Sequence, residues 1–354
     1  MTSRQNGIVL SCLGFLGIAS VFLLFLLSDN LNHRRNSFIR LFPPHPVDLP
    51  SKLDIKYNSF YIAGATSSHI YLGSQTAPFR LLKIDSSLGS ALEVNIRPDE
   101  IKKLKWRNPR IAVDSPNFFI MDGVLPAIFK GNLTTWEPQR FQFDSAYFIE
   151  SVPISNASFG LRSMSSRTNS YILGKEAFTP FSTTFNDALL QKQIDGIFCT
   201  DGMLHYNRAL GYLTYVYYYR NQFICMDTNM NLIYRGNTID TISRAKIKVA
   251  QVNSTLTLSA PPLIVNKESC VSGNWLFVNS NLLAENEDAE LFKSASVIDV
   301  YDLRNNTYKF SFYLLNTDSK KIRTFRVYNN MLIALYDHFI LKYELVPKYF
   351  ISSE

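Results

Sequence analysis

Two pairs of side chains in this sequence have the chemistry to hold a metal ion or move a proton. Asp201 with His205, and Asp337 with His338, would supply two carboxylates and two imidazoles if a fold gathered them at one rim. His69 is the remaining histidine of the main body; His33 and His45 lie nearer the amino terminus. Further carboxylates stand beside the ends of apolar runs: Asp114, Asp122, Asp195, Asp227, Asp299 and Asp302. A plainer reading covers part of this set. Asp122-Gly123 and Asp201-Gly202 match the preference of tight turns for Asp-Gly, where glycine supplies a positive φ. On spacing alone, no catalytic, cofactor-binding or metal-binding residue is assigned.

Other chemistry is equally unmarked. Walker loops, H-E-x-x-H, G-x-S-x-G and G-x-G-x-x-G patterns are all absent. Arg220, Arg235, Arg244 and Lys246 alternate with aromatic and hydroxyl residues; they could line a groove for an anionic ligand, or simply make cross-strand hydrogen bonds. The run Tyr215-Val216-Tyr217-Tyr218-Tyr219 reads as a core strand before it reads as a stacking platform. Cys199, Cys225 and Cys270 leave at most one internal bridge, and Cys199 with Cys225, expected on strands of one sheet, is the pair to consider; buried free thiols serve as well. Glycosylation sequons occur at Asn132, Asn156, Asn253 and Asn305.

The elements that must position these residues are short strands. From Leu53 onward, aromatic and β-branched runs of five to eight residues alternate with Gly, Asn, Asp, Ser or Pro. They fall into sets of four: Ser59 to Ile96, then Arg110 to Phe143 after a short helical connector at Pro98–Leu104, then Ala146 to Thr184, then Gly196 to Thr238. A fifth set starts near Pro262 and carries an acidic insertion, Ala284 to Phe292. The last set has only three strands, IRTFRVYN, MLIALYD and FILKYEL, while LDIKY at Leu53–Tyr57 is left over at the front. A spare strand at one end and a missing one at the other are what a closed ring of blades requires. The expected fold is an all-β six-bladed propeller over residues 53–346, with seven blades the next count, followed by a tail at 347–354.

A different kind of segment precedes it. After a short tail at 1–7, residues 8–27 are uncharged and mostly apolar. At ~1.5 Å per residue such a run matches a hydrocarbon core of roughly 30 Å, so it is expected to be a transmembrane signal anchor contacting the lipid bilayer. Residues 28–52, basic and then proline-rich, are expected to form an extended stalk. The chain carries 36 basic and 29 acidic residues; removing four Arg and one Asp in residues 1–40 leaves 32 and 28, a net +4 on the rest. That charge, spread so thinly, gives no nucleic-acid footprint.

The segments DGIFCTDGMLHY (Asp195–Tyr206), YYYRNQFICMD (Tyr217–Asp227), IYRGNTIDT (Ile233–Thr241) and SVIDVYDL (Ser296–Leu303) are similar to those of uncharacterised bacterial single-pass membrane proteins. Those proteins pair an amino-terminal anchor with a propeller-like extracytoplasmic body. The resemblance implies architecture and an envelope location, and brings no activity, cofactor or site residue.

The functional expectation is accordingly a membrane-anchored extracytoplasmic propeller that binds or scaffolds a ligand or an envelope protein. A metal-dependent hydrolase or lactonase, with its site at the channel mouth, is one alternative. An accessory subunit of a membrane redox or transport complex is the other.

Overall fold

The computed structural model describes residues 3–27, 36–96, 104–143 and 145–351; of the connector expected at Pro98–Leu104, all but Leu104 lies outside them. Twenty-six strands are described, of which the first, β1 (Ser51–Asp54), is used last. Blade 1 is β2 (Phe60–Ala65), β3 (His69–Ser74), β4 (Arg80–Asp85) and β5 (Ala91–Asn95). Blade 2 is β6 (Arg110–Asp114), β7 (Asn117–Asp122), β8 (Ala127–Asn132) and β9 (Gln139–Phe143). Blade 3 comprises β10 (Glu150–Ser155), β11 (Ser158–Ser165), β12 (Ser170–Phe178) and β13 (Phe181–Asn186). Blade 4 comprises β14 (Gly202–Asn207), β15 (Tyr212–Tyr217), β16 (Gln222–Met226) and β17 (Leu232–Asn237). A separate hairpin, β18 (Val249–Val252) with β19 (Thr255–Leu258), precedes blade 5: β20 (Asn266–Ser272), β21 (Trp275–Ser280), β22 (Ala295–Asp302) and β23 (Thr307–Leu315). Blade 6 contains β24 (Thr324–Tyr328), β25 (Met331–Leu335) and β26 (Phe339–Glu344), and β1 adds its fourth strand. The fold is an all-β six-bladed propeller.

Closure is antiparallel, with Ser51 opposite Lys342 and Leu53 opposite Ile340. The closing strand starts and stops earlier than Leu53–Tyr57. Asp54 Oδ1 accepts the Lys56 N–H at 2.7 Å and Lys56 turns back at φ 65°, which ends the strand.

The core is a ring of wedges rather than one central mass. Each of six apolar clusters fills the gap between two neighbouring blades, and the cluster joining blade 6 to blade 1 (Ile333, Leu335 and Ile340 with Phe60, Ile70 and Leu72) closes the circle. The second strand of each blade, between the channel strand and the outer pair, is therefore packed on both faces. On β7, Phe118 and Ile120 point toward blade 1 while Phe119 and Met121 point toward blade 3, and all are buried. That two-sided burial, worth ~1.5–3 kcal/mol per large apolar side chain, explains the uninterrupted apolar strands of the sequence.

Other differences have local causes. Gly196–Asp201 is not strand, because the Asp195 carboxylate accepts the N–H groups of Ile197, Phe198 and Cys199 and curls the chain. Cys199 consequently sits outside the sheet that holds Cys225, and the two thiols, like Cys270, are buried and free. The β18–β19 hairpin was unforeseen; Asn253, at φ 49°, supplies its turn. The acidic insertion forms α2 (Ala289–Ser294), capped by Asp288 accepting the Leu291 N–H.

The proline-rich segment has almost no regular structure, as its composition predicts, yet it is docked rather than free. The Asn36 N–H bonds to Leu283 O, Phe38 packs with Ile242 and Leu282, and Asp48 N–H bonds to Glu344 O. Arg40, 1% exposed, is its bolt: the guanidinium holds Asp299 at 2.8 Å and 3.1 Å, Glu287, and the Leu282 carbonyl at 2.9 Å.

Residues Ser3–Leu27 form a helix, α1. Leu10, Leu13, Phe15, Leu16, Ile18 and Phe22 on it are exposed. Among the described residues no helix is long and apolar enough to cross a membrane, so the structure does not support the transmembrane anchor expected at 8–27.

Candidate functional site: the central channel

The first strands of the blades, β2, β6, β10, β14, β20 and β24, line a channel of about 1340 Å³. Because successive strands are antiparallel, loops joining strands 4→1 and 2→3 lie on one face, here the entry face, where inner strands begin. Loops joining 1→2 and 3→4 lie on the exit face.

Near the entry, Glu150 opens β10 opposite Arg162 of β11. Arg162 Nε is 3.4 Å from Glu150 Oε2, its Nη1 donates to Asp201 Oδ1, and its plane lies over Tyr171. Glu150 also accepts the Leu204 N–H at 3.3 Å. Burial raises the Glu150 carboxyl to about 7, against the pull of Arg162. Deeper in, Arg326 reaches Glu268 at 3.2 Å and the Ser269 carbonyl at 3.3 Å. His205 Nε2 shares a 2.7 Å hydrogen bond with the Ser269 hydroxyl. Burial, reinforced by Arg326, lowers the imidazole to about 3, so the ring is neutral. Ser269 is 0% exposed, which leaves this Ser–His pair no route to a substrate. Cys270 is buried beside it, and its thiol is pushed up to about 12, so it carries no thiolate at neutral pH.

The exit mouth is polar. Exposed Ser67, Ser115, Arg208, Asn329 and Asn330 surround it, with Arg208 on Asp114 at 2.6 Å.

The structure does not gather Asp201, His205, Asp337 and His338. Asp201 is held by Arg162, and His205 by Ser269. Asp337 and His338 occupy a turn of blade 6, where His338 Nδ1 meets Asp54 at 2.9 Å. His69 lies against Ser68 at 2.8 Å. Among the described residues no group of three His, Cys, Asp or Glu could hold a metal ion. Of the remaining aspartates, Asp122 accepts four backbone N–H groups, Asp227 holds its own turn, Asp299 serves Arg40, and Asp302 holds Arg304. Gly123 and Gly202 are not at positive φ. Their reason is space: a Cβ at Gly123 would fall 1.8 Å from Phe148 O, and one at Gly202 2.3 Å from Val216 O. The basic groove does not form either. Arg220 is 1% exposed over Tyr217 and donates to the Gln191 carbonyl, whereas Arg244 and Lys246 project from the connector ahead of β18. Tyr215 and Tyr217 are core residues of β15.

Sequence reading passed over Glu150, Arg162, Glu268 and Arg326. The available signal was a charged residue inside an otherwise inward-facing strand, as in FIESV, NKES and TFRV.

No protein-family model and no curated protein matches the chain. It is similar in structure to a member of the DUF4221 family from Bacteroides vulgatus, with a TM-score of 0.54 at 9% identity over 88% of this chain and 98% of that one. YCF48 bound to a D1 peptide follows at 0.48, 8% identity, 86% and 99% coverage. The Cps50 (Swd1) β-propeller domain of Myceliophteria thermophila gives 0.45, 8%, 84% and 99%. At such identity the first of these speaks to fold alone.

Proposed function

We propose that this chain is a membrane-anchored, extracytoplasmic propeller that binds a polar ligand or the loop of an envelope protein at the exit mouth of its channel. The observation that carries the reading is how the channel's ionisable groups are used. Arg162 serves Glu150 and Asp201, Arg326 serves Glu268, and His205 serves Ser269, so the interior is committed to holding the ring. Ser67, Ser115, Asn329 and Asn330 of the exit loops turn their hydrogen-bonding groups toward solvent around the mouth. Propellers place recognition on such loops above a rigid frame. The anchor rests on the uncharged run 8–27, the helical form of Ser3–Leu27, and the outward apolar side chains of residues 10–23.

A photo-crosslinker at Asn330 in the full chain, expressed in its host's membranes, tests this. One discrete adduct at Asn330, absent with the crosslinker at Leu92 on an outer strand, is expected, in a chain that resists alkaline extraction. Equal labelling at both positions, or none at Asn330, would contradict the binding reading. Extraction into the aqueous phase would contradict the anchor.

A further inference from the structure

The sheets of a propeller end at their outer strands, and this ring guards all of those but one. β5 carries Glu93, β9 Arg140, β17 Arg235, β23 Lys309, and β1 Lys52 with Asp54. A register shift also interrupts the pairing of β9, β17 and β23. The Ser311 N–H of β23 bonds in addition to Leu41 O of the docked segment. Charges, bulges and covering segments are the devices that keep an edge strand from pairing with another chain.

β13 has none of them. Phe181–Asn186 is uncharged, pairs with β12 residue for residue without a bulge, and is exposed over its first five positions. Among the described residues no other segment bonds to its backbone. The hairpin β18–β19 is uncharged too, but its strands are only 4 residues long and it stands apart from the blades.

The two large side chains of this edge are held in place beforehand. The Phe181 ring lies 5.9 Å from that of Phe178, and the Phe185 ring fills the space over Gly174, where a Cβ would fall 2.3 Å from it. Both rings remain open to solvent, at 61% and 40%. Such aromatic surface costs little to order on binding.

The order of residues says what fits. Opposite residues of an antiparallel pair turn their side chains to the same face, so a strand meeting its own copy is centred on a residue, never between two. With the centre at Thr183, Phe181 faces Phe185 of the second copy, Ser182 faces Thr184, and Thr183 faces its counterpart. Aromatic pairs and hydroxyl pairs are favourable cross-strand combinations. No charge on β13 selects an unlike strand, and F-S-T-T-F presents the same residue classes read in either direction.

We propose that β13 is the interface of a homodimer, in which the strands of two copies pair antiparallel about a two-fold axis at Thr183 and join two blades into one continuous sheet. The contact is isologous and closed, so it yields a dimer and not a filament. It lies on the circumference of the ring, and it rests on neither the anchor nor the exit mouth.

Sedimentation equilibrium of the purified full chain in mild detergent measures the association, with Cys12→Ser throughout so that α1 adds no disulfide. A dimer is expected. Thr183→Lys and Thr183→Glu, which set like charges face to face across the axis, should each weaken it several-fold, and an equimolar mixture of the two variants should restore it. Thr183→Cys should link two copies on mild oxidation, whereas Leu92→Cys on the edge of blade 1 should not. A chain that stays monomeric, including one that holds an unlike protein at position 183, would overturn the inference. So would a dimer indifferent to Thr183→Lys.

Discussion

Arg40 shows how much a single side chain can carry in this fold. Asp299 and Glu287 face it with side chains 2% and 0% exposed, and Ser311 and Tyr313 complete their hydrogen bonds. Replacing Arg40 by Ala strands two buried carboxylates, which costs about 3–5 kcal/mol; the denaturation midpoint should fall accordingly. Glu150 acts in the opposite direction. Its folded carboxyl, near 7 against an ordinary 4.5, holds a proton more tightly than the unfolded chain does. Stability contributed by this group is therefore full below pH 4.5, falls as pH rises to about 7, and is flat above. Glu150→Gln should remove that slope, as read from urea midpoints across the window. Arg40 is not legible in the sequence, because burial by segments more than two hundred residues away leaves no local mark; Glu150 leaves only the weak one of a charge inside the strand FIESV.

At the scale of elements, legibility tracked how many faces a strand buries. The second strands, such as β7 and β15, are covered on both sides, so NFFIMD and YLTYVY announce themselves. Strand grouping and the spare amino-terminal strand followed from the same pattern. Where side chains rather than periodicity set the backbone, the reading failed: Asp195 unravels the start of the fourth set, and Asn253 turns a polar stretch into a hairpin. The docked segment 36–50 was legible as extended and illegible as packed, since its partners on blades 5 and 6 lie more than two hundred residues away. Removing residues 36–54 takes away both that strap and β1, leaving β26 with an unpaired edge. Such an edge invites pairing with another copy. The truncated chain should move to the void volume in size-exclusion chromatography while the full chain stays discrete.

Taken as a whole molecule, the propeller is a closed ring in which Arg162, Arg326 and His205 of the channel are engaged by neighbouring side chains. Its exit mouth offers hydrogen bonds, and its amino-terminal segment docks on the entry face through Asn36 and Leu283. Function was the part least visible in sequence, because recognition loops need no fixed motif, whereas the ring needs a strict strand arithmetic. Both faces and the channel exist only if the ring is closed by β1. Ser51 and Lys342 are opposed across that seam, at the ~4.5–5.5 Å Cα separation of antiparallel partners that a disulfide can bridge. With Cys12→Ser, the double variant Ser51→Cys, Lys342→Cys should form an intramolecular disulfide on mild oxidation, seen as one linked peptide pair in the monomer and a raised denaturation midpoint. Thiols that stay free, or that link only between chains, would contradict the closed ring.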